Sequence, residues 1–253
     1  MTLNPQPSTL NPPPALRVLG IVPARGGSKG VPRKNLRLLG SKPLLQHTAE
    51  AAVGAGKFDR VILTTDDEEI AEAGRRFGLE VPFLRPRELA LDDTPMKAVI
   101  HHALTTLRTS AGFEPDVVML LQPTAPFRTA VHIAEAIEQL TLSAARSLVS
   151  VVQVPSHFHP DWQLVLEDSS LVRLHNGKPL AEIVTRRQAL APTFVRNGAI
   201  YAFAANAFIS ENSLYPSPCV AYVMAWEDSV NIDTEEDFRE AEHRLATRAG
   251  QTS

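Results

Sequence analysis

Arg25, Lys29, Arg33 and Lys34 place four cations within ten residues, in a stretch that also holds Gly26, Gly27 and Gly30 and follows directly on an apolar run. Glycines let backbone N–H groups converge on an anion, and clustered basic side chains neutralise it, so the pattern points to polyphosphate chemistry. No acid occurs from Met1 to Ala49, a span holding seven of the 25 lysines and arginines, although the whole chain has a formal charge of −3. The positive field is therefore local, and it suits a polyanionic small molecule better than nucleic acid. Spacing excludes two familiar glycine motifs. Gly26, Gly27 and Gly30 do not give the Gly-x-Gly-x-x-Gly of a dinucleotide fold, and Val31-Pro32 stands where a P-loop needs its lysine and hydroxyl residue. A solvated basic turn is the competing reading.

The elements that must position this loop follow from periodicity. Val18 to Pro23 reads as a buried strand feeding the glycines, and Arg60 to Thr65, Asp116 to Leu121 and Ser147 to Val154 repeat that apolar pattern. Helices are expected between them, over Pro43 to Val53, Glu68 to Phe77, Thr94 to Arg108 and Thr129 to Leu140, with Thr94 a cap, Pro95 at a first helical position, and Gly78 a stop. Val81 to Leu84 reads as a further short strand. Such alternation predicts right-handed crossovers and a three-layer αβα sandwich with a mostly parallel sheet, whose site lies at the strand C-termini. The glycine loop, Asp66 and Gln122 all fall at such ends, and Asp66 is read first as a helix cap.

From Pro155 the pattern changes. Gln163 to Glu167 and Leu171 to His175 flank Asp168-Ser169-Ser170 as a hairpin, Gly198 to Phe203 and Val220 to Ala225 return as strands, and Thr234 to Arg248 closes as an amphipathic helix capped by Thr234 with Asp237. The first 15 residues hold five prolines and no charge and read as a disordered tail, leaving 16–253 as one domain. No apolar run approaches the roughly 20 residues of a membrane span, and no signal-type apolar segment opens the chain. The single cysteine, Cys219, fits a reducing cytoplasm and reads as a buried thiol. His157 and His159 read as exposed loop residues, and His101 and His102 as helix-surface ones.

Arg25-Gly-Gly-Ser-Lys-Gly-Val-Pro-Arg-Lys34-Asn35 resembles the N-terminal signature of the acylneuraminate (CMP-sialic acid) cytidylyltransferases. Leu63-Thr-Thr-Asp66, Phe83-Leu-Arg-Pro-Arg-Glu-Leu89, Leu121-Gln-Pro-Thr-Ala-Pro-Phe-Arg128, Arg196-Asn-Gly-Ala-Ile-Tyr201 and Ile232-Asp-Thr-Glu-Glu-Asp-Phe238 agree in order, so the resemblance spans about Leu16 to Leu245. It implies a nucleotide-diphospho-sugar transferase-like α/β fold and transfer of CMP from CTP to the anomeric hydroxyl of a nine-carbon 2-keto sugar acid, with release of pyrophosphate. By the same resemblance Arg25, Gly26, Gly27 and Lys34 hold the triphosphate, Ser28 and Lys29 belong to that cradle, and Asn35 meets the ribose. Arg85 meets the cytosine, and Asp92 lies near the nucleotide, although spacing does not prefer it over the adjacent Asp93. Gln122, Arg187, Asn197 and Tyr201 serve the acid sugar, with Arg187 on its carboxylate, while Asp233 holds Mg²⁺.

Two departures stand out. The family pattern is often Asp-x-Asp where this chain has Asn231-Ile232-Asp233, and a lysine found in some relatives after a His-Pro pair is missing from His159-Pro160-Asp161-Trp162. The resemblance also implies a homodimer paired through an insertion within about 155–221. The rival readings are the same chemistry with GTP or an eight-carbon acid, or a nucleotide-binding protein without turnover.

Overall fold

The computed structural model describes residues 16–167 and 171–251. The tail predicted over 1–15 and the Asp168-Ser169-Ser170 turn lie outside them. In chain order the described elements begin β1 (Val18–Pro23), β2 (Leu38–Leu39), β3 (Lys42–Pro43), α1 (Leu44–Ala55), β4 (Arg60–Thr64) and α2 (Glu68–Arg76). They continue with α3 (Met96–Ala111), β5 (Val117–Leu120), α4 (Ala130–Leu142), β6 (Ser147–Gln153), the hairpin β7 (Leu164–Glu167) and β8 (Leu171–Leu174), β9 (Phe194–Ala204), α5 (Ala205–Glu211), β10 (Cys219–Val223) and α6 (Glu235–Gln251).

Six strands form one sheet in the order β10-β6-β9-β5-β1-β4. β1 is parallel to both β4 and β5, and β10 is parallel to β6, whereas β9 runs antiparallel between β5 and β6. The sheet is thus mostly parallel, as the alternation of elements predicts. Strand side chains alternate between faces. Val18, Val22, Val117 and Met119 accordingly join the core under α1, α2 and α4, while Leu19, Ile21, Val118 and Leu120 join a second core with α3 and α5. Three layers result. A third cluster of Val31, Leu39, Leu44, Phe127, Val230, Ile232, Phe238 and Ala241 ties the loop after β1 to the chain before α6. Full burial of a Val, Ile or Phe contributes about 1.5–3 kcal/mol, so this cluster holds the two segments together without help from a ligand.

Caps explain where the helices begin and end. Asp67 accepts a bond from the Ile70 N–H, and Thr129 forms a capping box with His132. Gly56, Gly78 and Gly112 carry positive φ just past their helices, so α1 runs through Gly54 and stops at Gly56. Thr234 and Asp237 exchange hydrogen bonds at the start of α6, as predicted.

Several expectations need correction. Val81 to Leu84 is not a strand; only Glu80 bridges to Ile62, because Pro82 lacks a ladder N–H and the chain turns toward the strand ends, where the Arg85 N–H donates to the Thr65 carbonyl. Thr94 does not cap α3: Pro95 takes the cap position, and the Thr94 hydroxyl donates to the Glu88 carbonyl at 3.4 Å. Cys219 is exposed, since it opens a strand at the sheet edge. His159 is buried rather than exposed, its ring nitrogen 2.8 Å from the Ala191 carbonyl oxygen. His102 is also no simple surface residue, for its ring packs edge-on against Phe83 and its Nδ1 is buried. No helix among the described residues is long and apolar enough to cross a membrane.

Candidate active site

At the C-terminal ends of β1, β4 and β5 the chain leaves a cleft of about 480 Å³, a size suited to a small ligand. Pro23, Arg25, Ser28, Lys29, Gly30, Lys34 and Asn35 line it from the end of β1 and the first loop, Arg85, Asp92 and Met96 from the segment between α2 and the start of α3, and Gln122, Pro123 and Thr124 from the turn after β5. Asn231 and Asp233 complete it. Four cations thus face two carboxylates, and the excess charge suits a polyanion.

The first loop is built from backbone constraints. The Gly26 N–H donates to Asp66 Oδ1 at 3.0 Å, and a Cβ on Gly26 would lie 2.8 Å from Asp67 Oδ2. The expected capping role of Asp66 therefore passes to Asp67, which stands one residue before α2, while Asp66 holds the loop. Asn35 is buried, and its amide donates to the Arg25 carbonyl at 3.0 Å. Gly30 sits directly against the Asp233 carbonyl, where no side chain fits. Lys34 donates to the Ile232 carbonyl at 2.8 Å and lies 3.4 Å from Asp233 Oδ1, so loop and acid are joined twice. Arg33, the fourth cation of the cluster, turns away to pair with Glu69 and Asp67.

Across the cleft, Asp92 pairs with Arg25 at 2.6 Å and with Lys29 at 2.5 Å. Hydrogen bonds from Lys29 and then Arg25 hold its carboxyl below the usual range. Asp92, not Asp93, is thus the acid facing the cradle. Arg85 is 5% exposed, which rules out a free surface cation. It donates to the Thr64 carbonyl at 2.5 Å and to Thr64 Oγ1 at 3.2 Å, and burial lowers its guanidinium to about 10.

Asn231 and Asp233 point to the same side, as their two-residue spacing predicts, and the Asn231 amide donates to Asp233 Oδ2 at 2.6 Å. Asn231 Oδ1 is buried and has no hydrogen-bond partner among the described residues. Carboxylate oxygens are donors a hard divalent cation prefers, so the accessible Asp233 carboxylate fits Mg²⁺, whereas Asn231 turns its amide N–H toward that carboxylate and its oxygen toward Gly198. Among the described residues no group of three or more His, Cys, Asp or Glu is arranged to bind a metal, which leaves phosphate and water oxygens to complete any such shell.

Other expected site residues lie elsewhere. Gly26 and Gly27 support the loop without lining the cleft, and space beside Gly27 is open. Asn197 is buried behind it: its oxygen accepts from the Ser150 hydroxyl at 2.6 Å and its nitrogen donates to the Ser229 hydroxyl at 2.9 Å. Tyr201 packs in the second core with its ring against Tyr215. Arg187 is exposed in a short 3-10 turn, Arg187–Ala189, and is not among the lining residues. Two groups escaped the sequence reading. Thr124 lines the cleft with a buried hydroxyl that has no partner among the described residues, and Arg128 is buried with its guanidinium on the Gln122 carbonyl. A cation after two prolines and a phenylalanine gives no burial signal of its own.

A three-layer, mostly parallel sandwich with a cationic glycine loop at its strand C-termini, joined there to the Asp233 carboxylate, defines a nucleotidyltransferase. Residues 19–241 match the family model described as cytidylyltransferase, and the chain belongs to that family. It is 34% identical over 227 residues to CMP-N,N′-diacetyllegionaminic acid synthase of Legionella pneumophila, across 88% of this chain and 94% of that one. It is 33% identical over 225 residues to N-acylneuraminate cytidylyltransferase of Streptococcus agalactiae, across 88% of this chain but only 52% of the longer streptococcal protein. Pseudaminic acid cytidylyltransferase of Campylobacter jejuni is 29% identical over 223 residues, with 88% and 94% covered. Among solved structures, CMP:2-keto-3-deoxy-manno-octonic acid synthetase complexed with CTP superposes with a TM-score of 0.67 at 17% identity, covering 92% of this chain and 99% of its own. 4-Diphosphocytidyl-2C-methyl-D-erythritol synthase of Anaerococcus prevotii gives 0.61 at 14%, covering 91% and 96%. At those identities the two structures speak for the fold alone.

Proposed function

We propose that this chain transfers CMP from CTP to the anomeric hydroxyl of a nine-carbon 2-keto sugar acid and releases pyrophosphate. The observation that carries the reading is the joining of cradle and acid: Lys34 and Gly30 of the glycine loop both touch the Ile232-Asp233 segment, in a family whose relatives include synthases of CMP-linked acid sugars. Such a transfer needs the charge on the α-phosphorus offset while hydroxyl and leaving pyrophosphate lie in line, and positioning with electrostatics does most of that work. Arg25, Lys29 and Lys34 offset triphosphate charge from one wall. Arg85, pinned to Thr64, presents a fixed face to the base, and Gln122 faces the acid sugar from the turn after β5. The Asp233 carboxylate is where Mg²⁺ would be held, with phosphate and water oxygens completing its shell; when bound it neutralises charge on the phosphates. Pyrophosphate release measured with CTP, GTP, ATP and UTP against eight- and nine-carbon 2-keto acids tests this. Release with CTP and a nine-carbon acid is expected, and its absence with every pair would refute the reading.

Lys34→Ala should lower kcat by about 10²-fold, the scale for removing one preorganised donor to a transition state. An unchanged kcat with CTP would remove Lys34 from the cradle.

The working unit proposed here is a cytoplasmic homodimer. The free, exposed thiol of Cys219 suits a reducing compartment. Phe158, Leu164, Leu166, Phe194 and Val195, all within 158–195, are exposed large apolar residues that suit a subunit contact. Arg187 lies on this same insertion, so its proposed bidentate grip on the sugar carboxylate belongs to the cleft of the other subunit. Arg187→Ala should raise the KM for the acid sugar by roughly one to two decades, the worth of one charge-assisted contact, and leave the KM for CTP nearly unchanged. Mixing Arg187→Ala chains with Lys34→Ala chains should then give more activity than either alone. No gain on mixing would place Arg187 outside a shared site.

A further inference from the structure

We propose that Arg128 is a positioning residue, whose guanidinium holds the Gln122–Thr124 turn in register with the Asp233 segment across the cleft; the kinetic part of this inference rests on the function proposed above. Arg128 is 2% exposed and heads the fully buried side chains by volume. Its Nη1 donates to the carbonyl oxygens of Gln122 at 3.2 Å and Ala199 at 2.7 Å, and its Nη2 donates to Thr48 Oγ1 at 2.8 Å. Nε has no partner among the described residues. Among the described residues no carboxylate forms an ion pair with it, and burial lowers the guanidinium to about 9.

An unpaired cation in the interior is costly, and an apolar side chain of similar volume is often no worse for stability. What the guanidinium supplies here is geometry. Its planar fork reaches α1, β9 and the turn after β5 at once, which an ammonium group on a flexible stem cannot copy. Two residues beyond Gln122, the Thr124 carbonyl accepts the Ile232 N–H at 2.8 Å, immediately before Asp233. Beside Ala199, Gly198 carries φ +77°, and a Cβ there would meet Asn231 Oδ1 at 3.1 Å. Arg128 therefore braces both routes by which the acid-sugar side of the cleft is connected to the Asn231-Asp233 pair, without itself lining the cleft.

The test compares Arg128→Met and Arg128→Lys with wild type by amide hydrogen exchange, CTP calorimetry and steady-state kinetics. In the folded Met variant, exchange should quicken together in peptides covering 121–127 and 230–233. kcat/KM for the acid sugar should fall by about 10²-fold, the scale for displacing reacting groups by an ångström, with CTP affinity essentially kept. Lys should recover only part of the loss. Unchanged exchange in both segments overturns the inference whatever the activity of the wild-type protein, and so does a CTP affinity that falls as far as kcat/KM does. Quickened exchange in a protein with no pyrophosphate release would support the brace while sinking the proposed reaction. Should both variants fail to fold, Thr48→Val removes one acceptor at a distance from the cleft. It should quicken the same two segments, and no change there would equally overturn the proposal.

Discussion

Asp233→Asn is expected to lower Mg²⁺-dependent turnover by about 10³-fold while leaving the fold intact, the equivalent of the several kcal/mol a bridging cation supplies at a transferred phosphorus. The carboxylate is exposed enough for its loss to cost little stability: its side chain is 65% accessible and its partners are the Asn231 amide and the Lys34 ammonium. Surface substitutions of this kind usually change stability by less than about 0.5 kcal/mol. The α6 start should survive, because its capping bonds run from the Asp233 and Thr234 N–H groups to Asp237, not through the Asp233 side chain. With Asn231 already neutral, the variant has no carboxylate at this position, and Mn²⁺ titration followed by spectroscopy should show weaker binding in the presence of CTP. Wild-type turnover at limiting Mg²⁺ would take Asp233 out of the metal site.

The layered fold was legible because its causes are local. Apolar runs such as Val18–Pro23 and Val117–Leu120 can be buried on both faces only in a covered sheet, and acids, arginines and glycines mark the ends of α2 and α1. What local pattern could not give was the antiparallel course of β9, because that depends on which neighbours the strand finds, not on its own composition. The first loop was legible as an anion cradle for the same reason: charge and glycine spacing act over ten residues. Which acid of Asp66 and Asp67 caps the helix was not, since that turns on one residue of register and on the Gly26 N–H, forty positions away in sequence. Burial of polar side chains was the main blind spot. Arg128 and His159 look like surface residues in the sequence and are buried because carbonyl oxygens from distant segments satisfy them, as the Thr64 carbonyl does for Arg85.

Gly30→Ala should reduce turnover on the order of 10²–10³-fold, at least as much as loss of Lys34, although it removes no functional group. The added methyl would overlap the Asp233 carbonyl oxygen, with the Asp233 carbon itself only 3.2 Å away. Neither neighbour can yield cheaply. Both are backbone, and they are held by the buried Val31 on one side and the buried Ile232 on the other. The strain is therefore relieved by parting the glycine loop from the Asp233 segment, which pulls Lys34 away from the Ile232 carbonyl and moves the triphosphate wall relative to the metal ligand. Overpacking of this sort costs about 1–3 kcal/mol, so a folded but poorly active protein is expected, and thermal unfolding with CTP-dependent turnover would read both. Gly54→Ala is the matched control, since it lies in α1 away from the cleft and its added methyl would meet only the Ala130 Cβ at an ordinary 3.6 Å, and it should keep most of the activity. Equal activity in the two variants would show that contact between loop and acid does not set the geometry of the site.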